Sequence, residues 1–172
     1  DCLAQLVLEE AVCARRGERV LLQDHAESAI LGGGEVLDPA APAHRRLDES
    51  RRTWLQALQC ASVGGSISHL LAKGQLVDLG RLARAWNLDP AQVSPEQSCG
   101  EQCRLFEVDG TRWCSAHGQW QSALESICAA VDRWHREQPT AQGIKARLLQ
   151  EALAESTHPA LLLGALAFSP LA

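Results

Sequence analysis

Between Asp38 and Arg46 the chain reads DPAAPAHRR, and the sequence on its two sides follows different periodicities. Pro39 and Pro42 each remove a backbone donor, and each pushes the residue before it out of the helical region. Three alanines and a switch from acidic to basic charge complete the break. Before it, apolar residues come in short runs of strand length. After it, they recur every three or four residues. A chain divided this way keeps its strands and helices apart, which predicts an α+β protein with a linker over residues 39–46.

On the N-terminal side, residues 1–38 hold three strand signals. LAQLVLE (3–9) is short and apolar; ERVLLQD (18–24) follows a turn at Arg15-Arg16-Gly17; SAILGGGEVL (28–37) follows a polar turn at Asp24-His25-Ala26-Glu27. Tight connections between them predict an antiparallel meander, a partial β-barrel of three strands with unpaired edges. The glycines Gly32, Gly33 and Gly34 do not make a phosphate loop. That loop needs a helix after the glycines and a GK[ST] ending, whereas here EVLDP continues as strand. A dinucleotide fingerprint fails for the same reason. These are glycines of strand geometry.

On the C-terminal side, Leu47, Trp54, Leu55 and Leu58 fall on one helical face. SVGGSISHLLAKG (62–74) is a second helix capped by Ser62 and stopped by Gly74, with Ile67, Leu70 and Leu71 inward. Asp78 caps a third, whose apolar face is Leu79, Leu82, Ala83 and Trp86. Asp89 and Pro90 open a short helical piece that Pro95 limits. Asp109-Gly110 marks a β-hairpin that sets Val108 against Thr111 and Phe106 against Trp113. Ser115 then caps a long helix to about Glu137, with an expected buried stripe of Trp120, Leu124, Ile127, Cys128, Val131 and Trp134. Another helix over 144–155 turns Ile144, Leu148, Leu149, Ala152 and Leu153 inward, and a last one starts at His158. Three helices, a hairpin and a return helix are the order of a winged-helix domain, here residues 47–137. Residues 138–172 read as the start of a second, truncated unit.

The net charge is −5, concentrated in residues 1–38, where three arginines meet eight acids. Such a chain is a poor non-specific nucleic-acid binder, so any RNA contact is local. No Arg or Lys lies between Arg84 and Arg104, which leaves the groove-reading segment 90–98 without a cation and Arg112 alone on the wing. Sequence-specific DNA recognition is therefore not expected, and a winged-helix transcription regulator is the alternative reading. Seven cysteines, an odd number and mostly within apolar runs, predict reduced, buried thiols. Cys99, Cys103, Cys114 and His117 are a weak zinc alternative, because neither pair has the tight CxxC spacing of a ribbon. No GxSxG or HExxH motif occurs, so no catalytic residue is assigned. The chain has no Met, and is expected to be a piece of a longer protein. It carries no apolar run of membrane-span length.

GERVLLQD followed by AILGGGEVLDP resembles the closing strands of the third domain of elongation factors in the elongation factor Tu superfamily. The Leu-Gly-Gly-Gly form running into Val-Leu-Asp-Pro is similar to the bacterial selenocysteine-specific elongation factors, the SelB family. RRTWLQALQ, GQLVDLGRLARAWNL, WQSALESICAAVDRWHREQP and GIKARLL resemble that family's first winged helix and the start of its second, so the likeness runs from about Leu6 to Ala167. The resemblance implies a GTPase that delivers selenocysteyl-tRNA to the ribosome at UGA codons, directed by an mRNA hairpin, in the cytoplasm. GTP and Mg would belong to a domain outside this chain, which holds no cofactor site of its own. On the family pattern, Arg19, Gln23 and Asp24 match the strand and turn that approach the tRNA backbone. Gly32, Gly33 and Gly34 match the adjoining glycine strand. Gln23 stands where that pattern usually has Arg.

Overall fold

The computed structural model describes residues 2–24, 26, 29–41, 48–96, 100–141, 143–153 and 156–168. Among these the chain is mixed α and β, with six α-helices and two small antiparallel sheets. Leu47, most of the linker, His25 and Cys99 lie outside the described residues.

The first sheet is a hairpin of β1 (Arg19–Gln23) and β2 (Ile30–Glu35). Arg19 pairs with Glu35, Leu21 with Gly33 and Leu22 with Gly32, and then the register slips so that Gln23 meets Ile30. Leu31 is the extra residue of that bulge. Its base is closed by Gly17 N–H donating to Val36 O at 2.9 Å and Val36 N–H donating to Glu18 O at 2.9 Å. The expected third strand over 3–9 does not form. Those residues join no ladder, and Val7 is 71% exposed. A strand is stabilised by cross-strand pairs and a buried face. Here β1 and β2 pair only with each other, and among the described residues nothing buries Leu3, Leu6 or Leu8, which stay 41%, 49% and 55% exposed, so apolar character alone does not make the strand. The sheet is accordingly not a closed barrel.

The helical body begins with α1 (Glu49–Leu58), whose N-cap is Asp48, its carboxylate accepting from Arg51 N–H at 2.7 Å. Next come α2 (Val63–Ala72), capped by Ser62 as expected, and the two-residue strand β3 (Val77–Asp78). Asp78 caps α3 (Leu79–Trp86) by accepting from Arg81 N–H at 2.9 Å. The helix stops at Asn87, which takes the left-handed conformation (φ 54°). A 3₁₀ turn at Pro90–Gln92 follows, held by an Asp89 capping box. The hairpin of β4 (Cys103–Val108) and β5 (Thr111–Ala116) turns at Asp109-Gly110, both at positive φ, in the register its sequence predicts. β3 adds to β5, giving the order β3-β5-β4.

The long helix is α4 (His117–Glu137), which starts two residues after the expected cap. Ser115 is still paired in β5, opposite Arg104, and its buried hydroxyl has no hydrogen-bond partner among the described residues. Gln119 does the capping instead, accepting from Ala116 N–H at 3.3 Å. Two shorter helices, α5 (Ala146–Leu153) and α6 (Pro159–Phe168), pack back against α4. The α4 stripe runs through Trp120, Ala123 and Ile127, with Cys128 exposed. In α5, Leu149 and Leu153 are buried, whereas Leu148 and Ala152 face outward. Of the six cysteines described, Cys114 alone is buried, which corrects the expectation of buried thiols. Among the described residues, no helix is long and apolar enough to cross a membrane.

Two clusters make the core, one on each face of β3-β5-β4. Trp54, Leu58, Ile67, Leu70, Leu79, Leu82 and Val93 pack with Cys114 on one side. Phe106 meets Trp120, Ile127, Leu149, Leu161 and Leu162 on the other. Each fully buried leucine contributes about 2 kcal/mol. Ser66 fastens three helices within the first cluster: its hydroxyl donates to Ala57 O at 2.6 Å and accepts from Trp86 Nε1 at 3.1 Å. In the second cluster Gly164 lies flat against the Phe106 ring, leaving no room for a side-chain carbon.

Gly164→Ala is therefore expected to lower stability by about 1–3 kcal/mol through overpacking. Gly118→Ala, in the first turn of α4 with open space around it, should be neutral or stabilising by up to about 1 kcal/mol. Urea denaturation of both variants checks the pair. A pH effect comes from His158, which packs beside the Trp113 ring and whose Nδ1 accepts from Ala160 N–H at 3.2 Å. Desolvation by burial holds its pKa below the ordinary histidine value. The unfolded chain thus binds this proton more readily. The His158 contribution is complete above the ordinary value and is lost as pH falls through the lowered one. The ring keeps an exposed edge, so the slope is shallow. His158→Asn, which can still cap α6, should flatten stability measured between neutral and mildly acidic pH.

Candidate functional site

The residues that the family resemblance implies as RNA contacts all lie on the β1–β2 hairpin, but not on one face. Successive side chains alternate across a strand, so Arg19, Leu21 and Gln23 share a face with Gly33 and Glu35. Gly32 and Gly34 lie on the other face, opposite Leu22 and Val20. Arg19 sits at the base of the hairpin and Gln23 near its tip, separated by the length of β1. Glu35 directly opposite Arg19 offsets the positive field of that side chain.

The tip is built by Asp24. Its N–H donates to Ala29 O at 2.8 Å, and its carboxylate accepts from Ala26 N–H at 2.8 Å. This side-chain turn is the physical reason for an Asp at that position. The carboxylate is thus partly occupied in shaping the loop. The glycines divide by their surroundings. A Cβ on Gly33 would lie 3.0 Å from Val20 O and 3.2 Å from a Leu21 methyl, whereas Gly32 and Gly34 face open space. A side-chain carbon at those two positions would meet nothing. Around them the hairpin displays exposed apolar side chains: Leu21 is 74% exposed, Leu31 70% and Ile30 68%.

The more elaborate polar cluster is at the foot of the hairpin, where the sequence reading placed nothing. Asp38 accepts from Arg51 Nη1 at 2.6 Å and from Trp54 Nε1 at 2.8 Å, with both side chains of the ion pair nearly buried. Its other oxygen accepts from Ala40 N–H at 3.1 Å. Arg81 lies over the Trp54 ring at 4.0 Å. Arg16 donates through Nε and Nη2 to Leu58 O at 3.0 and 2.6 Å, and through Nη2 to Cys60 O at 3.3 Å. The same guanidinium stacks on Trp86 at 3.8 Å. Arginine beside a turn and aspartate before proline both read locally as turn residues. Nothing in their own neighbourhood points to partners 42 and 16 positions away.

The zinc alternative is not assembled by the residues described. Cys103 pairs with Ala116 in the sheet and Cys114 with Leu105. Cys114 is buried in the first core cluster, while His117 lies on the exposed start of α4 beside Gln121. Among the described residues no three His, Cys, Asp or Glu side chains could hold a metal. On the β4–β5 hairpin, Arg112 donates to Pro90 O at 3.3 Å, which ties it to the preceding turn. A groove of about 930 Å³ runs between α1, α4 and the start of α6, lined by Arg51, Trp54, Gln119, Ser122 and His158. The hairpin contacts lie elsewhere.

Residues 1–43 match the family model of the beta-barrel domain of selenocysteine-specific elongation factors. The match covers both strands of the hairpin, Arg16 and Asp38, and ends before α1. No curated protein matches the chain.

The two kinds of glycine can be separated by experiment. Gly33→Ala is expected to loosen β1–β2, seen as faster amide hydrogen exchange in Val20 to Leu22, because a 3.0 Å contact with backbone has no flexible end to yield. Gly32→Ala and Gly34→Ala should leave that exchange unchanged or slower. Equal loosening in all three would mean that close approach is not what the glycines provide.

Proposed function

We propose that this chain is the part of a selenocysteine-specific elongation factor that runs from the end of its third, tRNA-facing barrel domain into its winged-helix arm. The match of residues 1–43 to the beta-barrel domain carries this reading. The order α1-α2-β3-α3-β4-β5, with the sheet order β3-β5-β4, supports a winged helix immediately after it. On this reading α5 and α6 open a second such unit and dock on the back of the first.

The barrel strands would present Arg19, Gln23, Asp24 and the glycine strand Gly32–Gly34 to selenocysteyl-tRNA. The exposed apolar rows of the hairpin would be covered by the remaining strands of the barrel. The winged helix would set the distance between the tRNA-bound body and the end that binds the mRNA hairpin at the ribosome. GTP hydrolysis, with its Mg, would belong to a domain outside these residues. The whole would act in the cytoplasm. A winged helix that reads DNA is disfavoured by the absence of Arg and Lys between Arg84 and Arg104, and by the engagement of Arg112 with Pro90 O.

Fluorescence anisotropy of the 172-residue chain against tRNA and duplex DNA, each titrated with salt, tests the reading. Weak tRNA binding is the expected result, since few cations are available to release counterions, and from so low a starting affinity even a shallow salt dependence takes it below detection as salt rises. Nanomolar, sequence-specific duplex binding at physiological salt would sink the proposal. In the longer protein, a GxxxxGK[ST] loop roughly 200–250 residues before Asp1, by ordinary domain lengths, is expected.

A further inference from the structure

We infer that the β1–β2 hairpin and the helical body are joined as one rigid piece. The joint bypasses the linker, and Arg16 and Asp38 are its two pins. Arg16 lies three residues before β1 and Asp38 three residues after β2. Each reaches a different end of α1. Asp38 holds Arg51 and Trp54 in the first two turns. Arg16 takes the carbonyls of Leu58 and Cys60 at the other end, where a helix leaves acceptors unsatisfied. A helix of this length spans about 15 Å, so the two attachments are far enough apart to block rotation about either one. The hydrogen bonds from Gly17 N–H to Val36 O and from Val36 N–H to Glu18 O tie the two pins to each other through the hairpin base.

The chemistry of the pins makes them stiff. Arg16 forms three hydrogen bonds and stacks on Trp86, whose Nε1 is in turn bonded to the buried Ser66 hydroxyl. A guanidinium held flat between an indole face and two carbonyls has few rotamers left. Asp38 and Arg51 have side-chain exposures of 5% and 9%, which places their attraction in a region of low dielectric and little salt screening. Prolines and alanines in the linker suggest a tether, but contacts made outside it set the geometry. The hairpin tip at Gln23 and Asp24 therefore keeps a fixed direction relative to α1–α4, whatever that tip binds.

Residual dipolar couplings of the full chain in weakly aligning medium test this. Backbone amides of β1–β2 and of α1–α4 in the unaltered chain should fit a single alignment tensor. In Arg16→Gln combined with Asp38→Asn, the hairpin couplings should shrink about two-fold or more while those of the body keep their values, as two independently reorienting parts require. Two tensors in the unaltered chain would overturn the inference, and so would one tensor in the double variant. Should the double variant lose its helical circular dichroism, Arg16→Gln alone replaces it. That single variant leaves the Asp38 ion pair intact, and hairpin couplings that shrink in it support the joint. Unchanged couplings with the helices intact contradict the role given to Arg16.

Discussion

The Asp38 carboxylate is the point on which the arrangement of this chain depends. A carboxylate taken out of water costs several kcal/mol unless its lone pairs are filled, and an unpaired arginine beside it costs as much. Arg51, Trp54 and Ala40 fill Asp38, and in doing so they fix the rotation of α1. Trp54 is the first large side chain of the core face of α1, and the ring bonded to Asp38 also packs among Leu58, Leu70 and Leu82. Arg81 covers its outer face. One polar group thus sets both where the hairpin is attached and how the first helix enters the core.

The second constraint is the small sheet. β3-β5-β4 has three strands and cannot bury a core by itself. Cys103, Leu105 and Cys114 look toward α1–α3, while Phe106, Val108 and Trp113 look toward α4–α6. A sheet apolar on both faces needs cover on both. That requirement explains why α5 and α6 return to the sheet instead of continuing outward from α4. It also explains Gly164, since the approach of α6 to Phe106 needs a position without a side chain.

The sequence was most legible where a side chain acts on its own backbone neighbourhood. Ser62, Asp78 and Asp89 cap as their positions imply, and Asp109-Gly110 turns the hairpin in the expected register. It was less legible where identity and position compete. Ser115 has the chemistry of a cap, but the ladder with β4 runs one residue beyond it and moves the N-cap to Ala116, whose N–H donates to Gln119. Cys128 falls one step off the buried stripe because Ala123 and Ile127 carry it, and a small residue is easily passed over when the stripe is read from large ones. The segment 3–9 has the composition of a strand, but strands exist by pairing, which composition does not record. Arg16 and Asp38 were illegible for the deeper reason that their partners are set by tertiary structure. For the candidate contacts, alternation along β1 was readable. The division of the glycines between two faces required the register, and the bulge at Leu22/Gln23 shifts that register.

The charge distribution gives this geometry its weight. With three arginines against eight acids in residues 1–38, the hairpin gains little from the counterion release that dominates most affinity for nucleic acids. Arg16 is engaged by carbonyls and Trp86, which leaves still less positive charge to attract a phosphate backbone. A surface of this kind contributes to recognition mainly through shape and fixed position, and such contributions are lost when the surface reorients. An acidic hairpin on a loose tether would contribute almost nothing to a complex. The same hairpin held at both ends of α1 can add its contacts without the entropy of being ordered first. The two pins therefore matter more here than they would in a basic protein, where charge alone can sustain binding across a flexible joint.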